Sequence, residues 1–295
     1  MIGEISALTS SMVWACASLL FAALGASMHP VTLNLYKCVI ALVMMLVTQL
    51  IFLGVSLPHM SSHEWIWLSL SGLLGLSIGD TAFFNALNRL GPRRTLLVSA
   101  LTPAITAILA IPVLQEGLDA RVILGMLLTM AGVVWVIRER SSTGSEEDVA
   151  LKAGLGFALI AVAAQSGGNV LTKLGASEAS ALEISMVRLL AGILGLVAYM
   201  VIKGRSFKPQ TSWKTRDFGL LILATFLGTY LGIWLMNSGL KYAQTAVATT
   251  LNSTSPIFIL PLAYFILKEK ISWRSFGGAV VAVLGVALLF SKDMF

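Results

Sequence analysis

Ten apolar runs, each close to the length of a bilayer-crossing helix, organise this chain of 295 residues. They fall near 5–25, 31–53, 66–87, 95–114 and 121–137, then 153–172, 180–202, 218–238, 245–267 and 273–290. A helix needs roughly 20 apolar residues to span the hydrocarbon core. The chain is 57% hydrophobic and 12% charged, about half the charged fraction of a soluble domain. A soluble core of this size cannot hide that much apolar surface, so the solvent is largely lipid. The reading is an all-α integral membrane protein. The first run approaches full spanning length and lacks a basic leader, so it reads as a retained helix.

The runs also repeat. At an offset of 153 residues Gly75 meets Gly228, Gly79 meets Gly232, Pro103 meets Pro256 and Glu116 meets Glu269. The register continues through Arg121 and Arg274, Gly125 and Gly278, and Gly132 and Gly285. Paired prolines, glutamates and glycines in one frame are not chance in a Leu-rich chain. Lys37 and Arg188 match at 151. The division is a first five-helix repeat at 1–137, a polar linker at 138–152 (RERSSTGSEEDVALK) and a second repeat at 153–295. An odd number of spans makes the second copy enter from the opposite side. The expected fold is therefore ten transmembrane helices as two inverted five-helix repeats, an arrangement suited to opening toward either side.

The net charge of +6 belongs mostly to segments between the runs, as in 203–217, and no basic stripe suggests nucleic acid. Counting basic residues per loop puts both termini outside. Cys16 and Cys38 lie inside apolar runs and form no metal or disulfide pattern. No GxxxxGK[ST] and no HExxH is present, so ATP drive and zinc hydrolysis lack their motifs. No cofactor and no enzymatic activity are expected. His59, His63 and Glu64 sit close in sequence but lack a third fixed metal ligand.

Polar residues inside the runs are expensive and need a reason. Asp80 lies in the third span and its repeat position is Ile233. It reads as a cation, proton or substrate-amine site, or as a hydrogen-bonded structural carboxylate. Lys37 and Arg188 read as snorkelling to the interface, or one of them faces a cavity and meets an anionic group. Gln165, Asn169 and Lys173 share a helix face beside Gly167 and Gly168, with no counterpart evident in the first half. Trp14 and Ser18 lie one turn apart in the first span, and Trp14 has no obvious twin. Asn85 lies further along the third span. Asn252 opens a polar patch before Pro256, and Tyr230 with Trp234 offers an aromatic wall. Ser71, Gly75 and Gly79 form a small-xxx-small stripe for close helix packing. Glu116 and Glu269 read as interfacial charges closing hairpins.

The segment GDTAFFNALNRLGPRRTLLVSALTPAITAILAIPVLQE and its partner SGLKYAQTAVATTLNSTSPIFILPLAYFILKEKISWRSFGGAVVAVLGV resemble the drug/metabolite transporter superfamily, and most its EamA-type ten-helix members. The resemblance covers nearly the whole chain. It implies a central cavity lined mainly by spans 1, 3, 4, 6, 8 and 9, termini inside, and transport of amino acids, other metabolites or amphipathic cations. The first-helix glutamate of small multidrug exporters is missing; Trp14 and Ser18 occupy that region.

The leading expectation is a secondary, non-ATP transporter of small metabolites such as amino acids, working by alternating access in the inner cell membrane. Asp80, Trp14, Ser18, Asn85, Gln165, Asn169, Tyr230, Trp234 and Asn252 are the candidate substrate or coupling residues. Its partners would be a small-molecule substrate, the lipid bilayer and a coupling proton or cation, and a homodimer is an allowed assembly. The alternatives are efflux of lipophilic cations and a non-transporting scaffold or sensor with a dry core.

Overall fold

The computed structural model describes residues 1–25, 28–52, 60–115, 117, 120–139, 148–207, 215–255, 257–258 and 273–290. Glu116, Pro256, Glu269, His59 and the linker core at 140–147 lie outside the described residues. The described chain is helical. The first half holds α1 (Ile2–Gly25), α2 (Pro30–Phe52), α3 (Ser62–Ser71), a π-helical segment (Gly72–Gly79), α4 (Asp80–Ser99), α5 (Thr102–Leu114) and α6 (Ala120–Glu139). The second half holds α7 (Asp148–Leu174), α8 (Ala181–Ile202), α9 (Thr215–Thr225), a π-helical segment (Phe226–Leu231), α10 (Gly232–Tyr242), α11 (Thr245–Asn252) and α12 (Trp273–Phe290).

Six helical stretches are long and apolar enough to cross a membrane, and three shorter apolar helices accompany them. Their outer faces carry exposed Val43, Leu50, Ile108, Leu127, Leu194 and Leu284. Asn34, Lys37, Asp80, Asn169, Arg188 and Asn237 are buried. This inside-out distribution suits lipid outside and a polar centre within. The protein is a multi-pass all-α membrane protein. Helix starts follow local chemistry: Ser61 with Glu64, and Ser180 with Glu183, form capping boxes ahead of α3 and α8.

The duplication recurs in backbone detail. The second π segment falls inside the image of the first at the 153-residue offset. α4 stops at Ser99 and α11 at Asn252, again one offset apart. The turns that follow are closed by equivalent bonds, Leu101 N–H to Val98 O (3.0 Å) and Thr254 N–H to Leu251 O (3.2 Å). Pro103 restarts the helix at its first turn, where its missing N–H removes no bond. The third and fourth apolar runs differ from the sequence boundaries in one respect. α4 stays helical through 88–94, and the interruption falls at Ala100–Leu101.

The halves grip each other reciprocally. The π segment of the first half packs on α7 and α8, and that of the second half on α1 and α2. α6 and α12 cross through matched small residues. A Cβ on Gly132 would meet Gly278 O at 2.5 Å, and one on Gly285 would meet Gly125 O at 2.7 Å. Residue i meeting j while the image of i meets the image of j is the signature of a two-fold relation. The closest approach is at Gly72, where a Cβ would lie 2.2 Å from Arg188 O. Backbone cannot yield as a flexible side chain can. Gly72→Ala is therefore expected to cost about 1–3 kcal/mol and lower the apparent Tm of detergent-purified protein. Gly156→Ala, with no atom within 4 Å of the added carbon, should leave that Tm unchanged or raised; equal effects at the two sites would contradict this packing.

Candidate functional site: a charged cavity between two broken helices

The cavity, of about 180 Å³, is walled by residues from both halves. Trp14 from α1, Lys37 from α2, Gln165 and Asn169 from α7, Arg188 from α8 and Asn237 from α10 border it. The helix breaks add Ser99 and Thr102 on one side and Asn252 and Ser253 on the other. Broken and π-bulged helices suit this position because their loosened backbone leaves carbonyls for side chains to use.

Asp80 closes the first π segment, its own N–H reaching back five residues to Gly75 O. Its carboxylate is engaged from two sides. Lys37 Nζ lies 2.5 Å from Oδ2, and Gln165 Nε2 donates to Oδ1 at 2.6 Å. Lys37 is 1% exposed, with its ammonium 5.2 Å from the centre of the Phe84 ring. Gln165 also donates to Gly75 O at 3.3 Å, and Asn34 Nδ2 donates to Leu76 O at 2.8 Å and to Thr81 Oγ1 at 3.0 Å. Gly79 lets Gln165 this close, since a Cβ there would sit 3.3 Å from Nε2. The small-residue stripe thus presses α3 and its π extension onto α7, where Ser71 Oγ donates to Gly168 O at 2.7 Å.

Arg188 stands in a different environment. It is 4% exposed, and its Nη1 donates to Asn237 Oδ1. Asn237 in turn donates to Ser185 Oγ at 2.8 Å. Its Nε is buried with no hydrogen-bond partner. Among the described residues Arg188 forms no ion pair. The snorkelling reading of Lys37 and Arg188 is corrected here: both side chains are buried and border the cavity instead of reaching outward.

The structure unites five of the nine candidate residues: Asp80, Trp14, Gln165, Asn169 and Asn252 all line the cavity. Trp14 packs on Phe21 and Phe83 at 6.2 and 6.1 Å between ring centres. Ser18, Asn85, Tyr230 and Trp234 are not among its lining residues. Ser18 Oγ donates to Ala15 O at 2.9 Å and Asn85 Nδ2 to Thr81 O at 2.8 Å, each within its own helix. Tyr230 hydrogen-bonds Thr48 Oγ1 at 2.7 Å and packs with Trp234 in the apolar cluster of α2 and α8. Lys173 leaves the stripe it was grouped with and donates to Ala243 O at 2.7 Å, beyond the end of α10. Glu64 accepts from Ser61, Ser177 and the Glu178 and Ala179 amides, which engages both of its oxygens in local structure.

Sequence reasoning missed Asn237, although an isolated Asn in an apolar run carries its own signal. It also left Trp14 and Gln165 unmatched. They coincide at the 151-residue offset of Lys37 and Arg188, as do Ser18 and Asn169. The packing agrees. A Cβ on Gly228 would meet Trp14 at 3.3 Å, just as one on Gly75 would meet Gln165 at 3.7 Å.

The EamA-like transporter family matches residues 1–138 and 152–291. The chain belongs to that family. It is 23% identical over 290 residues to an uncharacterized transporter of Archaeoglobus fulgidus, covering 98% of each chain. Other similarities are partial. The chain spans 37% of an uncharacterized transporter of Clostridium kluyveri at 25% identity over 39% of its own length. It spans 44% of an S-adenosylmethionine uptake transporter of Rickettsia bellii at 24% identity over 46% of its own length. A crystal structure 17% identical shares the fold with a TM-score of 0.79, covering 99% of this chain and 98% of that one.

Breaking a buried ion pair from one side costs roughly 3–5 kcal/mol, whereas removing both charges is often tolerated. Lys37→Met and Asp80→Asn should each lower the apparent Tm, and the double variant should regain more than half of the loss. Additive losses in this cycle would show that the two charges act independently.

Proposed function

We propose that this transporter moves a small polar metabolite, such as an amino acid, by alternating access and without ATP. The observation that carries the reading is the polar cavity between two repeat-related broken helices inside an otherwise apolar bundle. Two repeats, 1–137 and 153–295 joined through 138–152, would exchange conformations by rocking about the reciprocal α6–α12 contact. The cavity of about 180 Å³ suits a small metabolite better than a drug, whose pockets run roughly 300–1,000 Å³.

In this reading Asp80 is the counter-charge of Lys37 and holds it in the wall. Gln165, Asn169 and Asn252 offer hydrogen bonds, and Trp14 supplies an apolar face. Ser18, Asn85, Tyr230 and Trp234 support the surrounding helices. Efflux of lipophilic cations is disfavoured, since Lys37 and Arg188 outnumber the one carboxylate among the described lining residues. A dry scaffold has no use for so many polar groups at the centre.

Uptake by proteoliposomes of the twenty common amino acids and of small sugars tests the reading. Saturable uptake of at least one compound is expected, with about a tenfold loss in apparent affinity for Asn252→Leu. Uptake equal to that of empty vesicles for every compound would reject transport and favour the scaffold.

A further inference from the structure

The two halves place a cation at the same point and treat it differently. Lys37 on α2 and Arg188 on α8 correspond at the 151-residue offset, and both line the cavity. Lys37 reaches two positions on the π-bulged helix of its own half, and Arg188 bonds the image of one of them. Lys37 meets Asp80 and lies over Phe84. The images of those residues at 153 are Ile233 and Asn237. Arg188 indeed bonds Asn237, and Ile233 lies one turn before Asn237 on the same face, bordering the same cavity. Where the first half supplies a carboxylate, the second supplies an isoleucine.

The consequence is electrostatic. The ionisable residues among the described cavity lining are Lys37, Asp80 and Arg188. Asp80 is bonded to Lys37 at 2.5 Å and also acts through space on Arg188, so one carboxylate serves two cations and the guanidinium has no carboxylate in contact. An excess of buried positive charge is costly, and the guanidinium's fork of donors matches an oxyanion. Nε remains without a partner. Asn252, which also lines the cavity, holds a buried acceptor, Oδ1, without a partner. One unmet cationic donor and one unmet acceptor describe the complement of a molecule carrying an oxyanion and a hydrogen-bond donor.

We propose that Arg188 anchors the substrate through a carboxylate or phosphate, the substrate completing in the second half the charge pair that Asp80 completes in the first. The inference rests on the transport reading and names the substrate class of the same cavity. Lys37 is not the anchor, because its charge is already met. Binding would supply the second negative charge that Lys37 and Arg188 together lack, so the loaded state is the electrostatically balanced one. Asn252 would take a donor such as an ammonium or hydroxyl of the same molecule.

Matched probe pairs test this in purified protein and in proteoliposomes. The pairs are the twenty amino acids against their methyl esters, and glycerol 3-phosphate against glycerol. Thermal stabilisation and saturable uptake are expected for acids or for the phosphate, and not for their uncharged-end partners; which arm responds identifies the oxyanion. Arg188→Gln should weaken binding of the responding probe about tenfold or more. Ile233→Asp should do the same by supplying an internal carboxylate, and should raise the apparent Tm without probe. Ile233→Asn should keep affinity within about threefold. Size-exclusion chromatography checks folding, and Arg188→Lys, which keeps charge but loses the fork, gives an intermediate loss if Ile233→Asp fails to fold. Uptake of esters or glycerol in place of the acids or phosphate overturns the inference and leaves transport standing. So does unchanged anion binding in Arg188→Gln. If none of these probes is taken up the inference is overturned, and if no small sugar is taken up either, transport is rejected as well.

Discussion

A charge buried in a bundle surrounded by lipid must be answered by another protein group or by a ligand, since hydrocarbon offers no hydrogen bonds. The Lys37–Asp80 pair answers that requirement for the first half, and much of the local architecture follows from it. Asp80 reaches Lys37 from the end of a π-helical segment. The segment loosens Gly75 and Leu76 carbonyls, which Gln165 and Asn34 then bond. Gly79 eases the close approach of Gln165, and α8 comes close because Gly72 has no side chain. Ion pair, helix defect and small-residue stripe are therefore one construction.

The second half repeats the construction with different chemistry. Its π segment, its break after Asn252 and its close glycine at 228 sit where the first half has theirs. At the cavity itself the equivalent positions diverge, Trp14 against Gln165 and Ile233 against Asp80, and Asn237 borders it where the first half has Phe84 beneath Lys37. Shared positions hold backbone shape and the mutual fit of the halves. Divergent positions set polarity and charge in the space between them. A symmetric scaffold with an asymmetric lining can change shape in either direction while binding one kind of molecule.

Membrane location, helical class and duplication were legible in the residues because each leaves a local or periodic trace. Apolar runs report the solvent, and Gly79 with Gly232 or Pro103 with Pro256 reports the copy. Asp80, Gln165, Asn169, Trp14 and Asn252 stood out because polar or bulky groups in apolar runs are costly without a partner. Ser18, Asn85, Tyr230 and Trp234 stood out for the same reason, yet three of them bond a neighbour in the helix or on an adjacent one. A polar residue's partner can be local or distant, and composition does not distinguish the two.

By itself, then, the amino-acid order determined that the chain lives in a membrane, is built of helices and was made by doubling one unit. Which buried charges meet was decided only by tertiary structure. Lys37 and Asp80 are 43 residues apart, and Gln165 lies 85 from Asp80, separations at which no periodicity carries information. Pairing depends on how the helices cross, and the crossings are set by glycine contacts between halves. That packing bonds Lys37 to Asp80 and Arg188 to Asn237, so two cations at equivalent places in the sequence have different contact partners.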